Sequence, residues 1–332
     1  MWPVAHVSAV TWRSVLASLP RPALRCFRTI RPTGAEENVV DSTIIIANAL
    51  LAALALVMFG LGLSLTVQDF TRVLKLPRAV GIALAIQVLG LPVACFFIVK
   101  AFGLPPVFAI GMMLLAASPG GITANMFSHL FGGNVAMNIT LTAVNTIIAI
   151  VTIPLIANLA ISHFSDGAQV VPMQFGKILE VIAIVLIPVV LGMLVGAMRP
   201  GFRAAMERPV KIFSAAVLVI VIVLSFAKEW SSITTSFAQL GLPVLVFNLS
   251  SLLAGYYLSR FAGLDRGLAT AVSFEVGIHN STLAIYLAVG VLGSFELALP
   301  TAVYSLVMYV TAPLFGTWLT RAGRRNVGEE LT

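Results

Sequence analysis

Apolar residues run along this chain in long stretches divided by short polar breaks, and the breaks fall at bilayer spacing. No Asp, Glu, Lys or Arg occurs between Asp41 and Asp69, Arg78 and Lys100, Lys100 and Asp166, Glu180 and Arg199, Lys211 and Lys228, or Glu229 and Arg260. Between Glu275 and Arg321 the only such residue is Glu296. A helix needs about 20 apolar residues to cross the hydrocarbon core. The pattern predicts an all-α integral membrane protein with about nine spans, over 43–66, 79–100, 105–130, 134–161, 176–198, 210–227, 238–260, 267–292 and 297–320.

Two of these spans are interrupted. Ser118-Pro119-Gly120-Gly121-Ile122-Thr123-Ala124-Asn125 and Glu275-Val276-Gly277-Ile278-His279-Asn280-Ser281 put backbone-breaking and polar residues inside apolar runs. At membrane depth freed backbone groups are tolerated only inside protein or beside a watery cavity. Interrupted spans at matching places in two halves point to a secondary transporter's binding site. The polar stretch 162–175 reads as the joint between halves, with a first repeat over 41–161 and a second over 176–321. The broken spans are the third and eighth, each next to last in its half. They are an odd number of spans apart and so cross in opposite directions, as an inverted repeat requires if the first half lacks its opening helix.

Composition agrees with a membrane chain. Residues are 59% hydrophobic and 10% charged, against roughly 25% charged in soluble domains. The formal charge of +7 does not signal nucleic acid, because the basic residues form no patch with interleaved aromatics. They crowd one set of alternate loops, 72–78, 199–211, 260–266 and 321–325, with only Lys100, Lys177 and Lys228 in the other set. That asymmetry puts the crowded side, and the tail 322–332, in the cytoplasm. Cys26 and Cys95 are the only cysteines, with no CxxC and no His/Cys cluster, so neither a disulfide framework nor a zinc site is indicated. Residues 1–40 hold five arginines and no acid before Glu36. They read as a start placed too far upstream, as a disordered tail, or as a transit peptide.

Glu275 is the only carboxylate deep within an apolar stretch. An acid at mid-helix costs about 2.5–3.5 kcal/mol on insertion scales. No Lys or Arg lies inside a span to pair with it, so sodium or a proton must supply the positive charge. The bland alternative is a protonated Glu hydrogen-bonded between helices. Neighbouring groups favour a cation. Gly277 is expected to loosen the helix and turn the carbonyls of Val276 and Ile278 inward; His279, Asn280 and Ser281 follow. Thr123 and Asn125 supply oxygens at the other break, Asn138, Thr142 and Asn145 on the adjacent span, and Gln87 inside the second span. Asn138 and Thr142, four residues apart, share a helical face. Asn145 taken alone reads as a residue that hydrogen-bonds a neighbour. His279 is a poor sodium ligand but a good proton carrier.

These residues resemble the bile acid:sodium symporter family. The resemblance covers roughly 43–321 and rests on Met58-Phe59-Gly60-Leu61-Gly62-Leu63, on Asp69-Phe70, on the Ser118 to Asn125 stretch with Gly133-Asn134-Val135-Ala136, and on Glu275 to Ser281. It implies two five-helix inverted repeats arranged as panel and core domains, with the two broken helices crossing in the core. It implies one sodium site from Asn125, Asn138, Thr142 and Glu275. A second would use Gln87, Glu275, the backbone of Val276 and Ile278, and position 279. Substrate would sit near Thr123, Asn280 and Ser281. The family's commonest residue at position 279 is glutamine. His279 in its place leaves three outcomes open: sodium on a neutral nitrogen, a weakened site, or proton coupling.

The expected function is sodium-coupled symport of an organic anion, bile-acid-like or a small carboxylate such as a 2-oxo acid, by alternating access. The alternative is proton coupling through Glu275 and His279. An intramembrane enzyme built on His279 and Ser281 lacks an orienting acid and an oxyanion arrangement. The expected partners are the organic anion and the bilayer, with no nucleic acid and no obligate protein partner. The cell membrane is the expected location, in preference to an organelle envelope.

Overall fold

Proline, glycine and cap residues decide where the helices of this chain begin and end. The computed structural model describes residues 48, 51–165, 175–199, 201–202, 205–206, 209 and 230–329. The described residues belong to the unit Ala47–Thr332. The basic segment 1–40 and the expected span 210–227 lie outside them.

Helix α1 (Leu51–Ser64) meets α2 (Val67–Leu74) at a bend of 74°. The bend is held by Asp69, whose Oδ2 accepts from the Thr66 N–H and from Thr66 Oγ1, each at 2.7 Å. Asp69 Oδ1 pairs with Arg72 at 2.8 Å, and the same Arg72 nitrogen reaches the Ala136 carbonyl at 3.2 Å. Helix α3 (Pro77–Ala101) opens on a proline, which suits a first helical position. It widens to a π-helical turn over Ala85–Gly90, where the Leu91 N–H reaches back to Ile86. Pro92 explains the widening: it has no N–H to give to Val88, so the local ladder must shift. Gln87 sits in that turn.

Helices α4 (Pro106–Ala117) and α5 (Ile122–Leu130) are separated by the first break. Helix α6 (Val135–Phe164) starts at Asn134, whose side chain accepts from the Met137 N–H at 2.9 Å. Helix α7 (Phe175–Met198) and helix α8 (Trp230–Phe261) follow. Helix α9 (Arg266–Gly277) is capped by Asp265, and α10 (Ser281–Val291) by Asn280. A short turn, Glu296–Ala298, leads into α11 (Leu299–Glu329), which continues through residues read from sequence as a tail.

Five stretches are long and apolar enough to cross a bilayer: Pro77–Ala101, Val135–Phe164, Leu179–Met198, Ser236–Phe261 and Glu296–Arg321. The bent pair α1–α2 is a sixth by the same measure, and α4 and α10 are shorter apolar helices. Burial sorts their faces. On α6, Ile147, Val151, Leu155 and Leu159 recur every fourth residue and are exposed, as a lipid-facing stripe would be. Asn138, Thr142, Asn145 and Ala149 lie on its buried face. Helix α9 is buried all round from Leu268 to Gly277, and α4 from Ala109 onward, so these two form the interior.

Candidate functional site

Helix α4 ends because Ser118 is extended (ψ 142°). The residue before a proline is pushed away from the helical region, and Pro119 follows it. Helix α9 ends at Gly277, where Ile278 turns extended (φ −121°, ψ 90°). The two unwound stretches pair: the Gly121 N–H donates to the Ile278 carbonyl at 2.7 Å and the Asn280 N–H to the Pro119 carbonyl at 2.8 Å. Gly120 and His279 face each other across this single antiparallel bridge. In a continuous helix the Asn280 N–H would go to Val276; here the Val276 carbonyl loses that donor. The Ile278 carbonyl points instead at Gly121.

The loosening expected at Gly277 begins one residue later. Gly277 is still helical, and its lack of a side chain serves packing, since a Cβ there would lie 2.3 Å from Leu252 Cδ2. Its carbonyl accepts from Asn248 Nδ2 and from the Tyr304 hydroxyl, each at 2.9 Å. Asn248 Nδ2 also reaches the Tyr304 oxygen at 2.9 Å, and Thr311 Oγ1 donates to Asn248 Oδ1. This polar group satisfies the end of α9 within the bundle. Neither composition nor spacing pointed to it, because its members lie on α8, α9 and α11.

Glu275, one turn above the break, is fully buried (0% exposed). Its Oε2 accepts from Asn138 Nδ2 at 2.8 Å and from Thr142 Oγ1 at 2.7 Å. Its Oε1 accepts from Asn145 Nδ2 at 3.5 Å. Asn145 therefore does hydrogen-bond a neighbour, and that neighbour is the carboxylate. The stripe of Asn138, Thr142 and Asn145, spaced by four and then three residues, was readable as one face of α6.

The two amides that donate to this carboxylate each keep a buried oxygen without a partner, Asn138 Oδ1 and Asn145 Oδ1; Asn125 Oδ1 and Gln87 Oε1, elsewhere in the interior, are also buried without one. An unpaired buried polar group costs about 1–3 kcal/mol. Unpartnered amide oxygens on residues that touch one carboxylate suit a bound hard monovalent cation, which takes oxygen ligands and balances a single negative charge. Among the described residues no group of three or more His, Cys, Asp or Glu could hold a metal ion. The donor set is one acid with neutral oxygens.

Gln87 and His279 converge on a different atom. Gln87 Nε2 donates to the Ser118 carbonyl at 3.1 Å, and His279 Nδ1 lies 3.1 Å from the same oxygen. A carbonyl only accepts, so Nδ1 carries the hydrogen, and in a neutral ring Nε2 keeps the lone pair. That Nε2 is buried without a partner. The ring stacks on Phe247 (centroids 5.7 Å apart, 20° between planes) and meets Tyr304 edge-on at 5.3 Å. Of the residues expected at the substrate, Asn280 uses its Oδ1 to cap α10 through the Leu283 N–H at 3.1 Å. Ser281 Oγ is buried without a partner, and Thr123 is half-buried on the first turn of α5. His279 and Ser281 form no nucleophile–base pair.

The sequence pattern described as the Sodium Bile acid symporter family matches residues 51–236. A probable sodium/metabolite cotransporter, chloroplastic, of Arabidopsis thaliana is 28% identical over 86% of this chain and 69% of its own length. An uncharacterized sodium-dependent transporter of Bacillus subtilis is 26% identical over 83% of this chain and 85% of its own. The ileal sodium/bile acid cotransporter of Oryctolagus cuniculus is 24% identical over 73% and 69% respectively. The chain spans 66% and 60% of the lengths of two similar rice proteins. These relatives are named as transporters, not as enzymes.

Proposed function

We propose that this chain, which belongs to the sodium bile acid symporter family, carries an organic anion across a membrane together with sodium. The family is one of sodium-coupled transporters; the anion and the ion used here are our reading. The observation that carries it is Glu275, buried completely and touched by two amides, Asn138 and Asn145, whose oxygens have no partner.

In this reading Asn125, Asn138, Thr142 and Glu275 hold one sodium ion. Gln87, Glu275, the carbonyls of Val276 and Ile278, and His279 surround a second. Asn138 and Thr142 now direct hydrogens at Glu275 Oε2. The Asn138 amide oxygen is available without breaking that bond. Substrate approaches the crossing near Thr123, Asn280 and Ser281. There the N-termini of α5 and α10 favour a negative headgroup, since the free N–H groups and helix dipole are positive. Ions bound at the bridge hold the two breaks together, and the anion then meets a completed site. Two sodium ions carried with one monoanion move one net charge, which adds about 2.3 kcal/mol of drive per 100 mV.

The architecture we propose for this cycle has nine spans in two inverted repeats, 41–161 and 176–321, joined by the linker 162–175. Helices α4 and α5 together make one broken span, and α9 with α10 make the other. The chain is a multi-pass protein of the cell membrane with its C-terminus in the cytoplasm. The substrate class is a bile-acid-like anion or a small carboxylate such as a 2-oxo acid.

A second reading, proton coupling through Glu275 and His279, is favoured by the unpartnered His279 Nε2. Uptake of labelled carboxylates into proteoliposomes at fixed pH separates the two. Replacing sodium by choline abolishes uptake in the sodium reading and leaves it unchanged in the proton reading. Glu275→Ala abolishes uptake in both, and transport retained in that variant would refute the coupling role.

A further inference from the structure

Helices α8, α9 and α11 meet in a polar group whose hydrogens can all be assigned. The Gly277 carbonyl only accepts, so Asn248 Nδ2 and the Tyr304 hydroxyl both donate to it, each at 2.9 Å. The second Asn248 N–H goes to the Tyr304 oxygen at 2.9 Å, and Asn248 Oδ1 accepts from Thr311 Oγ1. Thr311 thereby fixes which end of the Asn248 amide faces Gly277. Asn248 and Tyr304 are fully buried (0% exposed). In a continuous helix the Ser281 N–H would fill the Gly277 carbonyl; here it turns to the His279 carbonyl at 3.0 Å. Tyr304 also sets its ring edge-on to His279 at 5.3 Å. One side chain therefore grips the backbone just before Ile278 and the imidazole just after it.

We propose that Asn248, Tyr304 and Thr311 are positioning residues for coupling: by occupying the Gly277 carbonyl they hold α9 unwound at Ile278, and so set how tightly the site at Glu275 binds its cation. The proposal rests on the cation reading of Glu275 and adds residues that reading does not use. They act from outside the site, since the hydrogen bonds to Glu275 come from Asn138, Thr142 and Asn145. The Gly277 carbonyl has two rival sets of donors. While Asn248 and Tyr304 hold it, α9 stops and the Ile278 carbonyl is free to accept from Gly121 at 2.7 Å, which keeps the two breaks paired. If the Ser281 N–H takes it instead, α9 winds on toward α10 and that pairing is lost. A cation that binds only the paired shape must then also supply the cost of unwinding, so its apparent affinity falls with the population of that shape.

The test is equilibrium binding of labelled sodium to the purified full-length chain at one temperature, with choline chloride holding the ionic strength. Tyr304→Phe keeps the ring against His279 and removes the hydroxyl. Thr311→Val keeps the shape of a residue that touches neither break and leaves Asn248 Oδ1 without its donor. Each is expected to raise the half-saturating sodium concentration several-fold at an unchanged plateau, whereas Thr311→Ser, which keeps the hydroxyl, stays at the wild-type value. A lower melting temperature in choline chloride with unchanged half-saturation would make the group a brace only and overturn the proposal, leaving Glu275 as a sodium ligand. An equal rise in Thr311→Ser and Thr311→Val would trace the effect to packing and also overturn it. A wild-type chain that binds no sodium overturns the underlying cation reading instead.

Discussion

Gly120 lies against Glu275 so closely that a Cβ at position 120 would stand 2.3 Å from Oε1 and 2.4 Å from Cδ of the carboxylate. The same Cβ would be 2.8 Å from the Glu275 backbone oxygen. The first helix break thus presses backbone, with no side chain between, onto the acid carried by the second. Overpacking at such a contact costs about 1–3 kcal/mol. Gly120→Ala is therefore expected to lower the melting temperature and to remove sodium-dependent uptake. A variant with wild-type stability and transport would show that the two breaks need not stay in contact.

His279 donates to Ser118 through Nδ1. A glutamine amide at that position can make the same donation while offering an oxygen in place of Nε2. His279→Gln is expected to keep sodium-dependent uptake and to lower the half-saturating sodium concentration several-fold. Loss of transport in this variant, with sodium indifference in the wild type, would favour proton coupling.

The carbonyl of Gly277 has two donors, Asn248 and Tyr304. Removing one leaves the other, so Tyr304→Phe or Asn248→Leu alone should cost about 0.6–2 kcal/mol, the range for polar contacts between membrane helices. The double variant removes both and should lose more than the sum of the two. A thermal double-mutant cycle measures this, and strict additivity would mean that the two donors act independently.

At the bend between α1 and α2, Asp69 fixes Thr66 and Arg72 together. Asp69→Ala removes the N3 carboxylate that accepts two hydrogen bonds from the N-cap Thr66, together with the ion pair to Arg72, and is expected to cost about 1.5–3 kcal/mol. Arg72→Ala removes one partly exposed ion pair, of the kind worth at most about 1 kcal/mol. The melting temperature should therefore fall further for Asp69→Ala. The reverse order would assign the bend to the contact between Arg72 and the Ala136 carbonyl.

Much of this site was legible in the sequence because it breaks local rules. Ser118-Pro119-Gly120-Gly121 cannot continue a helix, and Glu275 has no cation within reach in any apolar run. The helical spacing of Asn138, Thr142 and Asn145 is enough to place them on one face. What stayed hidden depended on contacts between distant segments. Gly277 looked like the point of unwinding, yet Leu252 makes it a packing glycine and Asn248 and Tyr304 hold its carbonyl. The π-helical turn that carries Gln87 follows from Pro92, a signal present in the sequence but four residues downstream of its effect. Asn145 read as bland because its partner lies 130 residues away. No local pattern reports the sharing of the Ser118 carbonyl by Gln87 and His279.

The central claim is that Glu275 and its amide neighbours bind sodium. Purified wild-type chain and Glu275→Gln can be melted at one pH in sodium chloride and in choline chloride at equal ionic strength. The account predicts that sodium raises the melting temperature of the wild type by several degrees and leaves Glu275→Gln unchanged. An equal sodium shift in both proteins, or none in either, would contradict it.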